Sequence, residues 1–323
     1  MSTSAVDVDV VFGGSIFCDL IMAGTPLPQP GEEVYAHSFA MVAGGTANRA
    51  VAAARLGMST GVLAVLGTDV LGDHMYELLV REERLDLRWL QRAAAQTPVT
   101  VAVTNEHDRG FITYEEANTQ APSHWPGPLP QARVCHTGIS SALPVWAADL
   151  RRAGTTVFGG VGWDETGQWS NAVLRHIEDI DVFVLNEVEA LNYTRTDSVD
   201  DAAKLLTKHV QTVVITRGGA GVTAVDGGDG TWVHVPAVRV RAVDPTGAGD
   251  VFTAGLMSAS VLGWDLHTRV AFAGLAATLS VRSLGGSSSA PRPDEIATYL
   301  TSERPEGDWS VVMDWARQGA LSV

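Results

Sequence analysis

The sequence predicts an α/β fold, with a mostly parallel central sheet flanked by helices and a small β-sheet set over it. Three observations carry this. Short apolar runs alternate with helical patterns through the second half of the chain, the rhythm of βαβ units. Glycine-rich or small-residue turns follow several of those runs. Two hairpin-like insertions, near residues 14–42 and 97–118, interrupt the rhythm and have the makings of a second sheet that covers a site.

In order along the chain, Val8–Phe12 is a short apolar strand that ends in Gly13-Gly14. Pro26, Pro28, Pro30 and Gly31 break the chain, and residues 33–42 read as an edge strand. The Ala-rich stretch 46–56 is a helix with Gly57 as its stop signal. Residues 61–66 form a buried strand, and 71–84 fit a helix. Residues 97–104 and 110–114 flank the polar turn NEHDRG as a hairpin. Strands follow at 133–137, 155–158, 182–185 and 212–216, with helical patterns between them. A late hairpin joins 221–226 to 231–235 through DGGDG. Two long helical segments, 251–262 and 267–284, precede the break GGSSSAP.

Composition narrows the function. The chain has 323 residues, 46% hydrophobic and 18% charged, which is globular rather than disordered. Its net charge of −15 argues against nucleic acid or an anionic membrane as partner. An anionic ligand must therefore be held locally, by backbone N–H groups, single arginines or a metal. No Lys or Arg precedes Arg49, which makes the N-terminus a poor targeting signal. Asp19 interrupts VVFGGSIFCDLIMAG, and no apolar run reaches membrane-spanning length. Cys18 and Cys135 are solitary and read as reduced thiols of a cytoplasmic protein. The nine histidines form no HExxH pair or Cys/His cluster that would hold a transition metal.

Four short motifs carry chemistry. In DPTGAGD, residues 244–250, Gly247 and Gly249 let backbone N–H groups approach a ligand, and the helix that follows adds unpaired donors and a positive dipole end. Phosphate suits such a cradle. Asp250 does not bind phosphate, so it either accepts a proton from an attacking hydroxyl, holds a metal, or is an acid favoured at a helix start. In NEVE, residues 186–189, Asn186 and Glu189 share a helical face behind a strand. They suit water-mediated Mg2+ binding or, the more frequent case for such a pair taken alone, an Asn cap with a Glu in the first turn. In AGGTAN, residues 43–48, two glycines permit close approach and Asn48 offers donors and acceptors to hydroxyls. TRGGAG, residues 216–221, is a glycine turn after a strand. Neither a Walker-type lysine loop nor a dinucleotide fingerprint is present.

GGTANRAVAAARLG at 44–57, NEVE, TRGGAG and DPTGAGD occur in the order and spacing of the ribokinase-like family, the PfkB carbohydrate kinases, and the resemblance runs from about Val10 to Pro291. It implies one ribokinase-like α/β domain over residues 1–323, with a β-sheet lid built from the insertions near 14–42 and 97–118. It also implies transfer of the ATP γ-phosphoryl group to a hydroxyl of a sugar or sugar-like molecule, with nucleosides as the other acceptor class. A catalytically silent sugar-binding protein on the same scaffold is the competing reading from outside enzymology. By this resemblance Asp250 matches the general base, and Gly247, Ala248 and Gly249 match the anion hole. Asp19, Gly44, Gly45 and Asn48 match acceptor-binding groups. Asn186 and Glu189 match the pair that organises Mg2+ and phosphate. Thr216, Gly218 and Gly221 match the nucleotide loop. Asp244, Thr246 and Ser287 resemble groups around a monovalent cation such as K+ in some members. Arg109, at the hairpin tip, either reaches a substrate oxygen or is simply solvated. Gly159-Gly160 departs from the pattern, standing where many members carry an Asp. An exposed lid edge predicts a homodimer through the lid.

Overall fold

The computed structural model describes residues 6–104, 109–139, 142–164, 166–283 and 285–320. In chain order the strands are β1 (Val8–Gly13), β2 (Ile16–Ala23), β3 (Ser38–Gly45), β4 (Thr60–Gly67), β5 (Leu85–Asp86), β6 (Leu90–Ala93), β7 (Val99–Thr104), β8 (Arg109–Tyr114), β9 (Ala132–Gly138), β10 (Thr156–Gly160), β11 (Val182–Asn186), β12 (Thr212–Thr216), β13 (Val222–Asp226) and β14 (Trp232–Val235). The α-helices are α1 (Thr46–Arg55), α2 (Val70–Val80), α3 (Val145–Arg152), α4 (Val173–His176), α5 (Glu187–Thr194), α6 (Val199–Leu206), α7 (Ala248–Val261), α8 (Leu266–Ser280), α9 (Pro293–Glu303) and α10 (Ser310–Ala320).

The large sheet runs β14-β13-β12-β11-β10-β9-β1-β4-β5, and β6 also pairs with β4. From β12 across to β5 the neighbours are parallel, while β13 and β14 form the antiparallel hairpin at the far edge. Parallel strands covered on both faces must be apolar on both, and the sequence obeys this. Val10 and Phe12 face one core, shared with α1, α7 and α8, whereas Val11 faces the other, shared with α3 and α6. Val214 and its neighbours Val213 and Ile215 divide the same way. Leaving β1, the chain reaches β4 on one side and, later, β9 on the other. The carboxyl ends of β1 and β9 therefore border a topological switch point, where open α/β sheets bind ligands.

The second sheet is four-stranded, ordered β3-β2-β7-β8. Both predicted insertions contribute two strands, joined by the parallel β2–β7 pair that periodicity alone does not reveal. Its first predicted edge strand is shifted: β3 occupies Ser38–Gly45 rather than 33–42, and passes straight into α1. The helix expected over 71–84 stops at Val80, and the segment after it turns through Arg84 in the left-handed region before β5. Helices α9 and α10 were not foreseen. No helix among the described residues is long and apolar enough to cross a membrane. Cys18 and Cys135 are buried and unpaired, as the reading of reduced thiols required.

Candidate active site

The switch point is walled by the starts of two helices. Gly247 caps α7 in the left-handed region (φ 74°), a conformation that costs an L side chain 1–2 kcal/mol or so and glycine little. Ala248 N donates to the Pro245 carbonyl at 3.3 Å, and the next N–H groups of the first turn, those of Gly249 and Asp250, have no intrahelical acceptor. A Cβ on Gly249 would meet no protein atom within 4 Å, so that flank of the helix start is open space. Asp250 follows one residue on, in the first turn, where the helix dipole favours an acid.

Its carboxylate is held from α1, which packs against α7. Arg49 Nη1 donates to Asp250 Oδ1 as an ion pair, and Asn48 Nδ2 donates to Oδ2 at 3.4 Å. The Asp250 side chain as a whole is 22% exposed, while its carboxyl group is buried against α1. Burial raises its pKa above the usual carboxylate value, and Arg49 and then Asn48 pull it back. The sequence reading selected Asn48 and passed over Arg49. Its signal was present: a cation directly after a candidate site residue, in a chain with no Lys or Arg before it.

Across from this pair lies Asp19 on β2, 8% exposed. Gly44 makes room for it, since a Cβ at 44 would stand 2.0 Å from Asp19 Oδ2. Burial, and secondarily the charge of Asp250, push the Asp19 carboxyl up to about 7. Gly45 has φ 61° and abuts the Ser15 carbonyl, so it forms the sharp passage from β3 into α1. On the floor, at the end of β9, His136 is buried and held neutral by burial and by nearby Arg49. Its Nδ1 and the Nε of Arg49 are buried without a hydrogen-bond partner among the described residues. Nothing in the sequence marked His136 as part of the site.

A sequence model described as pfkB family carbohydrate kinase matches residues 8–293. The chain belongs to that family. By family it is a carbohydrate kinase, as the order of its motifs predicted. The kinase is 28% identical to ribokinase of Mus musculus over 308 residues, covering 90% of this chain and 94% of that protein. Its fold matches the structure of Arabidopsis thaliana ribokinase complexed with ribose and ATP (TM-score 0.74, 24% identity, 91% of this chain and 98% of that one). It also matches a Burkholderia thailandensis nucleoside kinase in complex with inosine (TM-score 0.74, 23% identity, 92% and 100%).

The remaining predicted residues of this pfkB kinase fall into separate groups. Asn186 and Glu189 form a reciprocal capping box on α5: Glu189 N donates to Asn186 Oδ1, and Asn186 N donates to Glu189 Oε2, both at 2.9 Å. The bland reading of NEVE is thus realised, yet Glu189 remains 9% exposed with its carboxyl pushed up to about 7 by burial. A nearby cation would relieve that penalty. No cluster of three or more His, Cys, Asp or Glu groups fit to hold a metal occurs among the described residues. One carboxylate plus waters and phosphate oxygens is, however, an ordinary donor set for Mg2+.

Asp244 is buried, 1% exposed, and accepts from Thr246 N at 2.9 Å and Gly285 N at 3.2 Å. Thr246 Oγ1 is buried beside it with no partner among the described residues, an unsatisfied oxygen that fits a monovalent cation. Thr216 ends β12, and Arg217 leads into the turn Gly218–Ala220. Gly218 (φ 52°) has open space where a Cβ would be. Gly221 instead packs on β14, with the Val235 carbonyl 2.1 Å from its Cβ position. Arg109 lies on β8 and Ser287 in the turn Gly286–Ser289, but the side chains of both fall outside the described residues.

Proposed function

We propose that the protein transfers the γ-phosphoryl group of ATP to a hydroxyl of a sugar or sugar-like small molecule. The observation that carries this is the adjacency of an open, glycine-lined helix start and the tethered Asp250 carboxylate. A phosphoryl group seated against Gly247, Ala248 and Gly249 meets N–H donors and the positive end of α7, which match the charge spread over its oxygens in a loose transition state. Asp250 accepts the proton of the acceptor hydroxyl as the bond to phosphorus forms. Asp19, Gly44, Gly45 and Asn48 hold the acceptor, with Arg109 as a further contact from β8. Thr216, Gly218 and Gly221 line the nucleotide. Mg2+, when bound through water by Asn186 and Glu189, neutralises phosphate charge; Asp244, Thr246 and Ser287 would hold a monovalent ion such as K+.

The small sheet, from the insertions near 14–42 and 97–118, acts as a lid that excludes water as a competing acceptor, and the rest of the chain works with it as one domain. Its exposed Phe39, Ile112 and Tyr114 and its unpaired edges suit pairing with a second copy in the cytoplasm, which light scattering at micromolar concentration tests. The function is tested by ATP consumption against panels of sugars, sugar acids and nucleosides, with Asp250→Asn as the control. Turnover with sugars supports the reading. Turnover confined to nucleosides replaces the acceptor class, and turnover with nothing leaves a silent binding protein.

A further inference from the structure

Two consecutive residues of α1 grip the two oxygens of one carboxylate on α7: Arg49 takes Oδ1 and Asn48 takes Oδ2 of Asp250. We propose that Arg49 is a positioning residue for phosphoryl transfer, whose guanidinium orients the Asp250 carboxylate and supplies the counter-charge that keeps it anionic for the incoming proton. This rests on the reading of Asp250 as the base.

The argument begins with what a base at this place requires. Its oxygens must point at the acceptor hydroxyl in a fixed direction, and it must be ionised before the reaction starts. Neither comes free. A carboxylate at a helix start rotates about its own bonds, and gripping both oxygens removes that freedom. Burial disfavours the charge on Asp250, and Asp19 places a second acid within electrostatic range.

The elements packed on Asp250 leave Arg49 as the cation that answers this. Asp250 is the sole titratable residue of α7. On α1, the other cation, Arg55, is engaged with Glu82 at the opposite end. On β9, His136 is held neutral, and Arg133 lies at the far end with Asp9 of β1. The titratable side chains of α8, His267 and Arg269, sit at its start, a helix length from Asp250, with Arg269 bonded to the Trp264 carbonyl. The turn Gly286–Ser289 carries none. From the small sheet comes Asp19, an acid.

A bland role is available. An Arg–Asp pair can simply staple α1 to α7, in which case its loss would lower stability and leave the ionisation of the reaction unchanged. The pH dependence of turnover separates the two. With the sugar or nucleoside that gives the fastest ATP turnover, kcat/KM is followed across pH for wild type, Arg49→Gln, Arg49→Lys and Asp250→Asn, with thermal midpoints alongside. If Arg49 is the counter-charge, the acid limb of Arg49→Gln moves up by about one to three pH units, the range for an opposite charge in contact. Arg49→Lys keeps the charge and loses the guanidinium geometry by which Nη1 meets Oδ1, so its limb stays near that of wild type while kcat falls on the order of tenfold. An unmoved acid limb in Arg49→Gln, with only a lower midpoint or a uniformly reduced rate, overturns the inference. So does full kcat in Arg49→Lys, the variant that decides the matter if Arg49→Gln does not fold. Asp250→Asn separates this failure from the other. Undiminished turnover there removes the base itself, whereas a silent Asp250→Asn beside an unmoved limb in Arg49→Gln removes only the role of Arg49.

Discussion

Asp19 lies flat against the bare face of Gly44, so close that a Cβ at residue 44 would stand 2.0 Å from its Oδ2. The two residues are on neighbouring antiparallel strands, β2 and β3, and the missing side chain of one is the seat of the other's carboxylate. A glycine that looks like loop punctuation in the sequence is here a space reserved for a buried acid.

Gly44→Ala must therefore push the Asp19 carboxylate aside. Because the contact is with the end of a side chain, the protein should still fold. If Asp19 holds the acceptor, the acceptor KM should rise about tenfold or more, equivalent to roughly 1.4 kcal/mol, with the KM for ATP little changed. Steady-state titration of both substrates reads this, and an unaltered acceptor KM would remove Asp19 from the acceptor pocket.

Asp19 also makes stability depend on pH. Its carboxyl is raised from 3.8 to about 7 in the folded protein. Below the lower value both states hold the proton and the group is neutral to stability. Between the two values the unfolded chain ionises while the folded one retains the proton, so stability falls as pH rises, and the full penalty is present above about 7. At 1.36 kcal/mol per unit this amounts to about 4 kcal/mol at most. Asp19→Asn removes the penalty. Its thermal midpoint should exceed that of wild type by several degrees at pH 8 and by much less at pH 4, and a constant gap between the two would contradict the buried-acid account.

At the opening between α1 and α7, Asp250→Asn keeps the shape of the side chain and cannot accept the proton. A fall in kcat of about a hundred- to ten-thousand-fold is expected, with sugar and ATP affinities nearly retained. Gly249→Val should fail differently. Its side chain would enter the open space beside the helix start, impairing ATP use with Asp250 intact. Near-normal kcat in Asp250→Asn would reduce DPTGAGD to a helix start.

Glu189→Gln tests the metal. The substituted amide oxygen can still accept from Asn186 N, so the capping box and the start of α5 survive. Only the charge is lost. The Mg2+ concentration for half-maximal rate should rise severalfold while sugar binding, measured by titration without nucleotide, stays put. Identical metal dependence in variant and wild type would leave Glu189 as a helix cap alone.

The sequence by itself determined the element types, most of their order and the motifs that place this chain in its family. Those depend on local spacing: period two for strands, longer apolar stripes for helices, glycines where backbone must turn or be approached. It also held both readings of Asn186 and Glu189, and the capping box makes one of them visible without removing the other. What only the tertiary structure decided is which faces meet. Periodicity reports that a face is buried, not what buries it. Arg49 and Asp250 are 201 positions apart, and they touch because β3 runs directly into α1 and α1 packs on α7. The parallel pairing of β2 with β7 unites two separate insertions into one sheet for the same reason. His136 enters the floor of the site through the order β10-β9-β1, and buried Asp19 acquires its raised pKa from a desolvation that exists only once the two sheets have come together.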